Sequence, residues 1–161
     1  MLFRSLYWVG NTGNWSDPLH WALTSGGTGG NCPPIQTDNV FFDNNSFTTS
    51  NDTVHVDSVT LYCNNMDWTG ATGNPNFITT DYSHPYNLQI FGSLTLNPAM
   101  TWFYNGNIEF RSTAPGNTIT TNGTLIDGYY NDQITLAGAG STWDLMDDLY
   151  EIGRASCRER V

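Results

Sequence analysis

The sequence predicts an all-β protein, a right-handed parallel β-helix (a β-solenoid) with a tryptophan-rich N-terminal cap. Three observations carry that prediction. First, Leu88/Ile90, Leu94/Leu96, Ile108/Phe110 and Ile134/Leu136 set apolar residues two apart, the spacing of strands with one buried face. Second, a short unit recurs over residues 87–150, each pass turning at a small-residue corner, with Gly92, Gly106, Gly123 and Gly138 spaced by 14, 17 and 15 residues. Glycine permits such bends, and a unit this short must stack on its neighbours to bury an apolar face. Third, the chain is rich in Asn, Thr and Gly and poor in helix formers, a composition of strands and turns. An antiparallel β-sandwich is the alternative, because it also gives short alternating strands. Corners of irregular length favour the solenoid.

The two ends differ from the rest. Residues 151–161 (Glu-Ile-Gly-Arg-Ala-Ser-Cys-Arg-Glu-Arg-Val) share nothing with the Asn/Thr/Gly-rich chain and match the translation of a sequencing-library adapter. Residues 1–5 (Met-Leu-Phe-Arg-Ser) match the opposite adapter more briefly. The expectation is a metagenomic fragment: artefactual ends at 1–5 and 151–161, a cap with irregular strands over 6–86, and truncated solenoid rungs over 87–150. The artefactual ends should make few contacts with the body. Setting aside Arg4, Arg154, Arg158 and Arg160 with Glu151 and Glu159 leaves 13 carboxylates against Arg111, a net charge of −12. Such a chain repels nucleic acid and anionic membrane, and no apolar run has the length of a membrane span.

In chain order, Tyr7-Trp8-Val9 reads as a strand and Asn11–Asn14 as a turn. Ser16-Asp17-Pro18 has the form of a helix start, and one helical turn would carry Leu19 and Trp21 onto the body. Trp8, Trp15 and Trp21 then either close an open solenoid end or form a sugar platform; the cap is the favoured reading. Residues 25–34 are a Gly/Pro loop, and residues 37–43 a strand between acidic ends. Thr53–Asp57 alternates, with Val54 and Val56 on one face and His55 on the other. Residues 59–68 continue the strand pattern, and Gly70–Asn76 is a turn.

These motifs together carry a resemblance. Tyr7-Trp-Val-Gly-x-x-Gly-Asn-Trp-Ser-Asp-Pro-x-His-Trp21, Asp38-Asn-Val-Phe-Phe-Asp43 and Cys63-Asn-Asn-Met-Asp-Trp-Thr-Gly70, followed by Leu88–Leu96, Gly116–Gly123 and Ser141–Leu149, resemble a module of large Bacteroidetes-type surface proteins. Those proteins are adhesin-like, often carry gliding-associated or type IX secretion sorting signals, and resemble autotransporter passenger domains in being β-helical. The resemblance implies a secreted or cell-surface scaffold with further rungs beyond Leu149. It supplies no catalytic residues.

The chemistry-bearing residues point the same way. A β-helical polysaccharide lyase needs a carboxylate-bound Ca²⁺ and a base; the body offers Arg111, two residues from Glu109 across Phe110, a spacing that gives a surface ion pair. His20, His55 and His84 lack zinc-site spacing. Calcium is the one metal to consider, at Asp144, Asp147 and Asp148 or at Asp38 and Asp43, although neither set matches a loop pattern; solvated acidic turns are the favoured reading. Cys32 and Cys63 form an even pair that suits a disulfide in an exported protein, with two buried thiols as the alternative. Four Asn-x-Ser/Thr sequons (Asn14, Asn44, Asn51, Asn122) follow from composition.

The expected function is a non-catalytic structural or adhesive module, with no cofactor and with extracellular polysaccharide, cell-surface components or neighbouring rungs as partners. The alternatives are a carbohydrate-binding module stacking sugars on Trp8, Trp15, Trp21, Tyr82, Tyr86, Tyr129 or Tyr130, and a non-catalytic piece of a β-helical lyase. Exposed coplanar rings would favour the former, and buried rings would remove it.

Overall fold

Strands are short here because corner residues interrupt the alternation every few positions, and they pair with strands about 25 residues away rather than with chain neighbours. The computed structural model describes residues 3–83, 86–127, 133–149 and 151–152. Strands are numbered in chain order. One sheet holds β1 (Arg4–Trp8), β3 (Trp21–Ala22), β4 (Asp38–Phe41), β7 (Met66–Asp67), β10 (Leu94–Thr95), β13 (Asn117–Thr120) and β16 (Trp143–Leu145). A second holds β2 (Gly13–Asn14), β5 (Thr53–Val56), β8 (Asn76–Thr79), β11 (Thr101–Phe103), β14 (Ile126–Asp127) and β17 (Glu151–Ile152). The third holds β6 (Thr60–Cys63), β9 (Tyr86–Ile90), β12 (Gly106–Phe110) and β15 (Gln133–Leu136).

From β4 onward the chain visits the first, second and third sheets in turn, and each strand pairs with the strand three places later. Among the described strands every pairing is parallel except that of β1 with β3. An antiparallel sandwich is thereby excluded. Sandwich strands are joined by hairpins, whereas parallel partners need a long crossover, and here the two intervening strands supply it.

The register stacks like on like. Leu6, Val40, Met66, Leu94, Ile119 and Leu145 form one column in the first sheet. Val54, Phe77, Trp102 and Ile126 form one in the second, and Cys63, Ile90, Phe110 and Leu136 one in the third. All but the last member of the first and third columns are buried, so one apolar core lies between the sheets. Burial on the inner face explains the alternation: β9 and β12 both read buried–intermediate–buried–intermediate–buried.

Expectations about the repeat and the ends are corrected. The pairing repeats every three strands, as the first column's steps from Val40 to Met66 to Leu94 to Ile119 show, whereas the sequence unit is two short runs about one corner. The corner glycines serve either of the two purposes expected of them, close approach or positive φ. Gly106 opens β12 because a Cβ there would collide with the Tyr86 carbonyl, whereas Gly123 holds φ +78 in a turn with open space around it. The pairing also crosses position 87 without a break, since β6 joins β9 and β8 joins β11. Finally, Arg4 and Ser5 make the contacts that residues 1–5 were expected to lack: they pair with Asp38 and Asn39, and Arg4 Nη2 meets Asp38 Oδ2 at 2.6 Å. β17 likewise pairs with β14; residues 1–2 and 153–161 lie outside the described residues.

Among the described residues no helix is long and apolar enough to cross a membrane. The helix start at Asp17 yields a 3-10 helix, Pro18–His20, whose cap carboxylate accepts from Leu19 N at 2.9 Å. It buries Trp21 but leaves Leu19 on the surface.

Candidate functional site

Aromatic residues are the first candidates, and the register decides their fate. Trp8, Trp15 and Trp21 are all buried. Trp8 meets Trp21 edge-on at 5.2 Å between centroids, and Trp15 meets Trp21 at 4.8 Å. Their indole N–H groups are used internally: Trp8 Nε1 donates to the Asn11 carbonyl and Trp21 Nε1 to the Trp15 carbonyl, each at 2.8 Å. His20 lies flat on Trp8 at 4.6 Å, with Nδ1 donating to the Val9 carbonyl at 2.7 Å. The stack continues inward through Phe42 on Trp68 (3.5 Å, 7° between planes) and Phe77 on Trp102 (4.6 Å). These tryptophans cannot form a sugar platform, because a ring at the centre of a core offers no face to solvent.

Tyr86, on β9, is buried too, and burial together with Asp81 and Asp57 raises its phenol above the ordinary range. Tyr82 is exposed and sits edge-on to Phe103 at 6.0 Å. Among the described candidates, then, only Tyr82 is exposed, and no row of exposed rings arises from them. Tyr129 and Tyr130 lie outside the described residues, as does His84.

The disulfide expectation is corrected. Cys32 and Cys63 are both free, the first exposed in the loop after β3, the second wholly buried on β6. Cys63 occupies an inward position in register with Ile90; it acts as a small apolar side chain, and burial pushes its thiol far up.

The acidic residues are used as turn acceptors. Asp147 accepts from the backbone N–H groups of Thr121 (2.8 Å) and Asn122 and from the Thr121 hydroxyl (3.2 Å). The Thr121 N–H is the chief cause of its lowered pKa, with burial opposing. Asp38 takes Arg4 and the Ile35 N–H (2.9 Å), and Asp43 takes the Asn45 N–H (2.8 Å). Among the described residues no three His, Cys, Asp or Glu side chains gather where they could hold a metal, so Asp144, Asp147 and Asp148 do not converge. Arg111 pairs with Glu109 at 3.0 Å across β12, the surface ion pair that the spacing predicts. His55 faces outward from β5, and its Nδ1 is buried without an acceptor or donor among the described residues.

Sequence reasoning missed a polar ladder beside the first sheet. Asn39 Oδ1 accepts from Asn64 Nδ2 (2.8 Å) and Asn65 Nδ2 (3.0 Å), Asn65 Oδ1 accepts from Ser93 N (2.7 Å), and Ser93 Oγ accepts from Thr118 N (2.9 Å). The ladder ties four successive rounds together. Its signal was present in the sequence as polar residues recurring at the round length, 39 to 65 to 93 to 118, one position before each column residue of the first sheet. A second such tie is Asn97, whose Nδ2 donates to the Ala71 carbonyl (2.9 Å) and whose own carbonyl accepts from Thr124 Oγ1 (2.7 Å).

What the geometry provides is therefore a braced scaffold with a shallow groove of about 230 Å³ between Met100, Trp102, Phe103 and Leu125 on the second sheet. Comparison with protein-family models, curated proteins and solved structures returns no match.

Proposed function

We propose that this chain is a non-catalytic structural and adhesive module of a large secreted or cell-surface bacterial protein, coiled as a right-handed parallel β-helix. One observation carries the reading: the same inward columns and the same polar ladder recur round after round, so that each round adds one similar layer. Supporting the coil, three sheets visited cyclically with parallel pairing are what a helical path of strands produces. Its right hand rests on the general preference of parallel crossovers. The non-catalytic reading draws support from the two described arginines, Arg4 and Arg111, each of which is paired with a carboxylate.

Two measurements test it. Cysteines placed at the paired outward positions Gln89 and Glu109 should cross-link on oxidation, mapped by mass spectrometry, and failure to do so removes the parallel pairing on which the coil rests. Microspheres coated with the chain should be retained under flow on a polysaccharide- or matrix-coated surface beyond albumin-coated controls. Equal retention removes adhesion while leaving the scaffold intact.

A further inference from the structure

The amide side chains of the first and third sheets are used differently. Beside the first sheet they are spent on one another and on the next round: Asn39 Oδ1 takes the Asn64 and Asn65 amides, and Asn65 Oδ1 takes the Ser93 N–H. On the outer face of the third sheet two files of side chains cross β6, β9 and β12 in register. Thr60, Asn87 and Asn107 form one, and Tyr62, Gln89 and Glu109 the other. All are half-buried except Tyr62, which is 38% exposed. Among the described residues no hydrogen bond engages the side chain of Gln89, Asn107 or Tyr62. The one carboxylate of the two files, Glu109, is held by Arg111 at 3.0 Å and accepts from Asn87 Nδ2 at 3.2 Å. With that pair counted the face carries no net charge, in a chain whose formal net charge is −10.

We propose that this face binds a neutral polysaccharide laid across β6, β9 and β12. The proposal rests on the adhesive reading above and names its partner. Three features choose that occupant. Unengaged amides both donate and accept, which suits a polymer whose every unit carries hydroxyls. Neighbouring strands stand about 4.8 Å apart, so each file offers a polar group at a step close to one sugar unit of an extended chain. The balanced charge completes the match: an anionic polymer meets the repulsion of the whole chain, and a cationic one finds on this face only a carboxylate already held by Arg111. Tyr62 ends its file with an apolar ring and a hydroxyl together, a side chain that can pack on a sugar's C–H face and bond its hydroxyls at once.

The test uses the full chain in native gels containing hydroxyethylcellulose, a neutral glucan ether, or polygalacturonate, an anionic polymer. The first should retard the chain and the second should not. Gln89→Ala combined with Asn107→Ala should weaken the apparent affinity for hydroxyethylcellulose at least tenfold, and Tyr62→Ala at least fivefold. Tyr82→Ala, at the exposed ring beside Phe103 of the second sheet, should leave it unchanged. Hydroxyl-radical footprinting of the unsubstituted chain gives a readout free of any variant: hydroxyethylcellulose should shield Tyr62 and leave Tyr82 open. Shielding of Tyr82 alone, or retardation that survives the double substitution at full strength, overturns the site. Retardation by polygalacturonate alone, or by neither polymer, overturns the neutral partner. In each of these cases adhesion itself stands as long as coated microspheres are retained under flow beyond the albumin controls, so the two readings fail separately.

Discussion

Gly92 is the position where the polar ladder can be tested most sharply. A Cβ at Gly92 would intrude on Asn65 Oδ1 and stand 3.1 Å from the Asn64 carbonyl. Gly92→Ala must therefore displace the Asn65 amide, which links Asn39 Oδ1 at 3.0 Å to the Ser93 N–H at 2.7 Å. Losing two hydrogen bonds at about 1 kcal/mol each, and leaving the Ser93 donor short of a partner, costs roughly 2–4 kcal/mol. The substitution also removes about 0.4–1 kcal/mol of unfolded-state entropy in its favour, leaving a net loss of roughly 2–3 kcal/mol. In an Asn65→Ala background the obstructing amide is gone and only the Asn64 carbonyl contact opposes the entropy gain. There Gly92→Ala should be neutral or stabilise by up to about 0.5 kcal/mol. Urea unfolding of the four proteins measures this directly: Gly92→Ala alone should lower the midpoint by roughly 1 M, given m near 2 kcal/mol/M. If Gly92→Ala costs the same in both backgrounds, within about 0.5 kcal/mol, the ladder does not hold Asn65 where the glycine is needed and the reasoning is wrong.

Other outcomes follow from the core and the turns. Phe42→Ala empties a site stacked on Trp68 at 3.5 Å and bordered by Trp8, Trp15 and Trp21; thermal or urea unfolding should show a loss of about 3–5 kcal/mol, and a loss under 1 kcal/mol would deny the aromatic stack its central place. In a Cys157→Ser variant, a thiol reagent should label Cys32 within the mixing time and Cys63 only on unfolding, read as one labelled site by mass spectrometry. Because burial raises the Cys63 thiol pKa, the folded state holds that proton more tightly than the unfolded chain. Its contribution is complete below the unfolded value of about 8.5 and declines as pH rises past it, so the urea midpoint should fall between pH 8 and 10 and fall less in Cys63→Ala. Asp147 has the opposite sign. Its pKa is lowered by the Thr121 N–H above all, so its contribution is present above about pH 4 and is lost as pH falls. Protection of the Thr121 and Asn122 amides, taken relative to the intrinsic exchange rate at each pH, should fall in acid, and in Asp147→Asn at neutral pH as well.

How much of this could be read from residues alone depends on whether the information was local. The alternation at Leu88/Ile90 and Ile108/Phe110 is local, and the inward faces of β9 and β12 follow from it. The round length is not local. Glycines suggested a short unit, but Gly92 makes room for a side chain of the preceding round, Gly106 for a backbone carbonyl and Gly123 for a left-handed turn, so their spacing mixes three separate demands. The tryptophans left two readings open for a similar reason. Three in fourteen residues suit a buried cap, the favoured reading, or an exposed platform until the pairing of β1 with β4 and of β5 with β8 brings Phe42 and Phe77 against them. Cys32 and Cys63 gave an even count, but whether a thiol faces in or out is set by register, and the register of Cys63 is with Ile90.

The cyclic pairing also bears on how the chain finds its fold. A strand needs only the one placed three elements earlier, so in the regular part of the stack each new layer closes a loop of 25 to 28 residues, as from Val40 to Met66, Leu94 and Ile119. Loop-closure entropy grows only with the logarithm of loop length, and here that length stays near one value however many layers precede it. Relative contact order, which slows most β proteins, therefore falls as such a chain is extended instead of holding constant. Growth by duplication of one round would add a layer without making any earlier layer harder to form, and the antiparallel β1–β3 pair at the end of the first sheet gives such growth a fixed place to begin.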